Sequence, residues 1–178
     1  MKERYGDQLQ INWKNFSLEQ SNTKEGPDWF VWDQPEDYPS RGLPAFRALA
    51  AARLQGEAEF DRLQFALLEG RHERRKDFTD PNDVDELAKE SGLDLERLHK
   101  DMSSPGLLKA LEEDHLKAKT LGVFGTPTFV FGNGNQAFVR IKAPKSVDES
   151  VRAFDVFLEN FRDNDYFDEI KRPKPPRD

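Results

Sequence analysis

Apolar residues recur every three or four positions between Leu43 and Leu121, and this is the spacing of amphipathic helices. The run is divided by helix start signals, in which proline occupies the first turn or follows a capping residue, as at Pro44 and at Asp80-Pro81. The pattern predicts five successive helices: Pro44 to about Gly56, Phe60 to about Gly70, Pro81 to Gly92, a short one around Leu95 and Leu98, and a long one from Ser104-Pro105 to about Leu121.

The last third of the chain changes from helical to two-residue periodicity. Two short apolar runs, Thr128 to Phe131 and Ala137 to Ile141, flank the turn sequence Gly-Asn-Gly-Asn, and together they predict a β-hairpin. An amphipathic helix is predicted next, from about Ser146 to Arg162. Residues 166–178 are predicted to form a frayed tail.

The first forty residues combine one predicted strand with an irregular segment. Leu9, Ile11 and Trp13 alternate with polar residues, which predicts a half-buried strand over Gln8 to Phe16 after a helix that ends near Tyr5. The stretch from Gly26 to Ser40 is rich in proline and is predicted to be irregular and anchored by its aromatic rings. The order of strand, helical block, hairpin and helix predicts an α/β domain that carries a helical insertion.

Charge and composition exclude several classes of function. The net charge of -7 argues against nucleic acid as a partner, because phosphate binding needs a concentrated positive field. The absence of any long apolar run and of a signal-peptide core predicts a cytoplasmic protein without membrane spans. The sequence contains no cysteine, so these residues offer no disulfide, no thiolate metal site and no cysteine nucleophile.

No cofactor, metal or catalytic residue is predicted from the other polar residues. His72, His99 and His115 lack metal-ligand spacing and are interpreted as polar positions on helices. The acidic residues between Asp77 and Glu86 lie at a helix start and are interpreted as capping residues.

The segment Gly122-Val123-Phe124-Gly125-Thr126-Pro127-Thr128 joins the long predicted helix to the hairpin. Further stretches that support the resemblance named below all lie before this segment: Arg41 to Phe46, Ala51-Ala52, Gln55-Gly56, Leu67-Leu68, Ala88, Gly92-Leu93-Asp94, Asp114 and Ala118. Over nearly its whole length the sequence resembles DsbA-like proteins of the FrnE type, which belong to the thioredoxin superfamily.

The resemblance implies a thioredoxin-like α/β fold with an all-helical insertion. It divides the chain into residues 1–39 and 116–165 for the thioredoxin-like part, 40–115 for the insertion, and 166–178 for the tail. In the family, the loop before the hairpin contains a cis proline and binds an extended peptide or glutathione. The resemblance therefore implies that Gly125, Thr126, Pro127 and Thr128 form a ligand loop, with a cis bond before Pro127; the alternative is that Pro127 only shapes the turn.

In the family, a Cys-x-x-Cys pair or a replacement for it lies between a first strand and helix, and we expect this strand and helix to be missing from the sequence. We expect either a shortened form of a disulfide oxidoreductase or a non-redox binding module. A third reading is the glutathione-dependent branch, which includes 2-hydroxychromene-2-carboxylate isomerase and kappa-class transferases. Without the first strand, Gln8 to Phe16 would lack its neighbour, so we expect a rearranged sheet or a homodimer.

Overall fold

The computed structural model describes residues 2–170, which are mostly helical and contain one two-stranded sheet. They form two compact units. One unit consists of the described residues up to Asn12 together with those from Gly125 onward, and the other is Trp13–Phe124. The domain boundaries expected after residues 39, 115 and 165 stay a prediction, and residues 171–178 of the predicted tail lie outside the described residues.

The predicted strand over Gln8 to Phe16 is wrong. Helix α1, Lys2–Tyr5, is followed by a 3-10 turn at Gly6–Gln8, and residues 9–17 have no regular secondary structure. A strand depends on ladder hydrogen bonds to a neighbour, and the only sheet within residues 2–170 lies in the last third of the chain. Ile11 is also 43% exposed, so the alternation does not bury one face. The predicted rearranged sheet and homodimer therefore lose the strand on which they were based, and the homodimer stays a prediction.

The unit Trp13–Phe124 is helical, and it confirms the predicted helical block. The stretch from Gly26 to Ser40, which precedes the helical block, contains one 3-10 turn, Val31–Asp33. The helices are α2 (Leu18–Ser21), α3 (Leu43–Gln55), α4 (Glu57–His72), α5 (Pro81–Glu90), α6 (Leu95–Met102) and α7 (Lys109–Thr120).

Helix α7 begins later than its start signal predicts. Ser104 and Pro105 were expected to open the helix, but residues 105–108 form turns and the helix starts at Lys109. Gly106 has a φ of +74°, in the left-handed region, which a right-handed helix cannot include. The prediction of this boundary is therefore wrong by about one turn.

Helices α3 to α6 enclose the larger hydrophobic core. Helix α3 contacts α4, α5 and α6, and α4 approaches α5 so closely that a Cβ on Gly70 would lie 2.7 Å from Leu87 Cδ1. A side chain at position 70 would therefore force the two helices apart. The core residues are Ala48, Ala51, Ala52, Leu63, Leu67, Phe78, Val84, Leu87, Ala88, Leu93 and Leu98.

The other unit contains the predicted hairpin and the last predicted helix, but the second strand ends at Phe138 and the predicted continuation to Ile141 has no regular secondary structure. Strands β1 (Thr128–Val130) and β2 (Gln136–Phe138) are antiparallel, with Thr128 opposite Phe138 and Val130 opposite Gln136. Helix α8, Val147–Phe161, is capped by the Ser146 hydroxyl, which accepts a hydrogen bond from Glu149 N–H. None of the helices within residues 2–170 is long and apolar enough to cross a membrane.

Candidate functional site

The loop predicted to bind a ligand enters strand β1 directly. Gly125 is buried, whereas Thr126 and Pro127 are exposed and Thr128 is half-buried. The Thr126–Pro127 peptide bond is cis, the geometry expected for this loop. The hydroxyl of Thr128 donates a hydrogen bond to the carbonyl oxygen of Gly125 at 2.7 Å, so the loop closes on itself and displays its two central residues.

Gly125 anchors the loop against the hairpin. A Cβ at this position would lie 3.2 Å from Cε2 of the Phe138 ring, so the backbone packs directly on the aromatic ring. On the strand side, Val139 N–H donates to the Pro127 carbonyl oxygen at 3.2 Å. Both ends of the loop are therefore held by β2 and the residue after it.

Helix α8 supports the hairpin from behind. The ring of Phe157 lies 4.8 Å from that of Phe129 on β1 and 5.7 Å from that of Phe131, measured between centroids. At the turn, the side-chain amides of Asn133 and Asn135 both donate to the Arg162 carbonyl oxygen, at 2.6 and 2.9 Å. The loop is therefore followed by a hairpin that α8 and Arg162 hold in place, which limits the conformational entropy that ligand binding would cost.

The chemistry that this loop can offer is binding. Residues 125–128 contain no titratable side chain, so they provide backbone groups and two hydroxyls but no acid, base or thiolate. No group of three or more His, Asp or Glu side chains within residues 2–170 could hold a metal ion. The four predicted loop residues lie together in one turn; their role in binding stays a prediction.

A buried histidine in the helical unit was not expected from the sequence. His115 on α7 is 0% exposed, so its interpretation as an ordinary polar helix position is wrong. Its ring stacks on Phe16 at 4.7 Å and lies 5.4 Å from Trp32, and Ser17 N–H donates to its Nδ1 at 3.2 Å. The aromatic anchoring predicted for Gly26 to Ser40 is confirmed by these contacts and by Phe30, which stacks on Trp32. The sequence around His115 gives no sign that its side chain is buried, because the rings that enclose it belong to Phe16 and Trp32, far away in the chain.

Asp114 and His115 together bind the irregular segment before α2. The Asp114 carboxylate accepts from Asn15 N–H at 2.9 Å, from the Asn15 amide at 3.0 Å and from Lys14 Nζ at 3.0 Å. These bonds and the Ser17–His115 bond satisfy backbone groups that a sheet would otherwise pair. Neighbouring side chains on one helix therefore replace the strand partner that Gln8 to Phe16 was predicted to have.

Among the other polar residues, Asp80 confirms the predicted capping role, whereas Asp85 and Glu86 form ion pairs. His72 and His99 are exposed, and His99 Nε2 lies 2.7 Å from Asp85 Oδ1. The Asp80 carboxylate caps α5 by accepting from Asn82 N–H at 2.9 Å. Asp83 accepts from Lys76 Nζ and from Asp77 N–H, both at 2.7 Å, and these contacts lower its pKa below the usual carboxyl range. These residues stabilise helix starts and turns.

Comparison with known proteins finds a matching family and a similar protein. Residues 1–145 match the family described as DSBA-like thioredoxin domain. The chain is also 31% identical, over 150 residues, to the ClpXP adapter protein SpxH of Bacillus subtilis strain 168. The match covers 84% of this chain and 49% of the relative, so the chain spans about half the length of that protein.

Proposed function

Since the chain belongs to the DSBA-like thioredoxin family, we propose that it binds an extended segment of a partner protein at the loop Gly125–Thr128, in the manner of an adapter. Thiol–disulfide exchange requires a thiolate nucleophile, and these 178 residues contain none. The proposed role is therefore to hold a polypeptide without changing it covalently.

One observation carries this proposal: the loop is anchored, yet its tip is exposed. Gly125 is buried against Phe138, while Thr126 and Pro127 are exposed in the bend directly before β1. An extended polypeptide can be recognised there by main-chain hydrogen bonds to strand-like backbone, with side chains selecting the sequence. A rigid support favours such binding because little order has to be created when the peptide docks.

The similarity to SpxH supports a protein as the partner. That relative is named as an adapter for ClpXP, and an adapter must bind another protein.

We expect Thr126→Arg to weaken the binding of peptides to the loop Gly125–Thr128. The exposed position tolerates arginine without disturbing the core, but the long side chain covers the loop that a peptide would approach. The measurement is selection of a phage-displayed random peptide library on the wild-type protein, followed by fluorescence-anisotropy titration of the enriched peptides. Enriched peptides should bind Thr126→Arg at least about tenfold more weakly, a change of about 1.4 kcal/mol.

Thr79→Arg is the matched control, because Thr79 is an exposed threonine in the unit Trp13–Phe124. It should bind the enriched peptides as the wild type does. If no peptide is enriched, or if the enriched peptides bind Thr126→Arg with wild-type affinity, the loop is not a polypeptide site.

A further inference from the structure

One long interval of the chain contains no aspartate and no glutamate. After Asp114 no aspartate or glutamate occurs until Asp148, although an even spread of the 34 acidic residues over 178 positions would place about six there. The part of this interval that lies in the hairpin unit contains the loop Gly125–Thr128 and three cations, Arg140, Lys142 and Lys145. A chain with a net charge of -7 thus has a locally positive stretch next to its candidate site.

The structure shows these cations on an exposed, irregular segment, here termed the basic strip, Arg140–Lys145. Arg140, Lys142 and Lys145 are all exposed, and Ile141 between the first two is 67% exposed. Residues 140–144 have no regular secondary structure. Within residues 2–170 no carboxylate lies within ion-pair distance of the side-chain nitrogens of these three cations, whereas Lys76, Arg74 and Lys14 each have one. The Glu149 carboxylate accepts a hydrogen bond from the backbone N–H of Lys145, not from its side chain.

The basic strip begins immediately after a residue that is hydrogen-bonded to the loop. Val139 donates its N–H to the carbonyl oxygen of Pro127, so the next residue, Arg140, follows a residue that is bonded to the loop. A polypeptide that lies along Thr126 and Pro127 would therefore have these cations within reach of its side chains. Ile141 offers an apolar contact between two of the charges.

We infer that the partner segment bound at the loop is acidic: an extended stretch of polypeptide whose aspartate and glutamate side chains pair with Arg140, Lys142 and Lys145. This inference rests on the proposed function and names the chemistry of its partner. Complementary charge of this kind selects partners and speeds their association more than it adds affinity, because exposed charges stay solvated. A long polyanion such as nucleic acid fits less well, since the many acidic residues elsewhere would repel its phosphates.

The test compares the peptides enriched on the wild-type protein with those enriched on the triple variant Arg140→Glu, Lys142→Glu, Lys145→Glu. The wild type should enrich peptides rich in aspartate and glutamate, and the triple variant should bind them at least about tenfold more weakly. Affinity should also fall as salt rises above about 0.15 M, where exposed charges are screened beyond about 8 Å. The control Lys24→Glu, Lys89→Glu, Lys100→Glu makes the same change in net charge at exposed lysines of the helical unit and should retain binding.

The outcomes separate this inference from the proposed function. If the enriched peptides depend on Thr126 but show no excess of acidic residues, the loop binds polypeptides and the inference about charge is wrong. The same conclusion follows if the two triple variants lose affinity equally, because net charge alone would then explain the loss. A single-stranded oligonucleotide that competes as strongly as the acidic peptide would assign the basic strip to nucleic acid and overturn the inference.

Discussion

Replacing Leu63 with alanine is expected to lower the free energy of unfolding by about 2–5 kcal/mol. Leu63 on α4 is 0% exposed and lies in the core enclosed by α3 to α6, so truncation removes buried methyl groups and leaves a cavity. A domain is stable by only about 5–15 kcal/mol, so this change removes a large share of the margin. Urea denaturation followed by circular dichroism measures the loss.

Leu68 on the same helix provides the control. It is 41% exposed, so Leu68→Ala removes a side chain of the same size from a partly hydrated position. We expect a loss of less than about 1 kcal/mol. Equal losses for the two variants would show that α4 does not bury the face that contains Leu63.

Acidification below about pH 6.5 is expected to destabilise the protein through His115. Ser17 N–H donates to Nδ1, so this nitrogen must remain unprotonated, and a proton there would place two donors against each other. Burial lowers the pKa of His115 below its usual value, and Lys119 lowers it further. The unfolded chain therefore binds a proton at a pH where the folded protein does not, and stability falls as the pH falls.

Because only one proton is involved, the free energy of unfolding falls by at most about 1.4 kcal/mol for each pH unit below 6.5, until the folded-state pKa is reached. The contribution is fully present above about pH 6.5. The measurement is the free energy of unfolding by urea at about pH 7.5 and about pH 5.5. His115→Asn, which keeps an acceptor near Ser17 but does not titrate, should lose less stability over this range than the wild type.

His72→Asn serves as the comparison, because His72 is exposed at the end of α4. This variant should keep the wild-type dependence on pH. A wild-type dependence in His115→Asn would mean that another group is responsible. The carboxyl groups whose pKa values are lowered by their partners, such as Asp83 and Glu90, lose their contribution only at lower pH.

Local signals in the sequence predicted most helices and the hairpin correctly. Asp80 followed by Pro81 specifies a helix start by itself, because the cap and the missing N–H act within one turn. The hairpin follows from the Gly-Asn-Gly-Asn turn, in which Gly134 adopts a φ of +93°. These elements were predictable because the interactions that determine them lie within a few residues.

The elements that were wrongly predicted depend on partners far away in the chain. Leu9, Ile11 and Trp13 alternate as in a strand, yet a strand exists only where a neighbouring strand offers its backbone groups. Here Asp114 and His115, about a hundred positions away, bind the backbone of Asn15 and Ser17 instead. Residue spacing near Gln8 to Phe16 contains no information about that contact.

By itself, the sequence determined the helical block, the hairpin, the last helix, the resemblance to DsbA-like proteins and the absence of a thiolate. Only the tertiary structure decided that His115 is buried, that residues 9–17 are irregular, and that the basic strip leads away from the loop Gly125–Thr128. The physical reason is the range of the interactions. Caps and turns act within a few residues, whereas burial and backbone pairing depend on which distant segments meet.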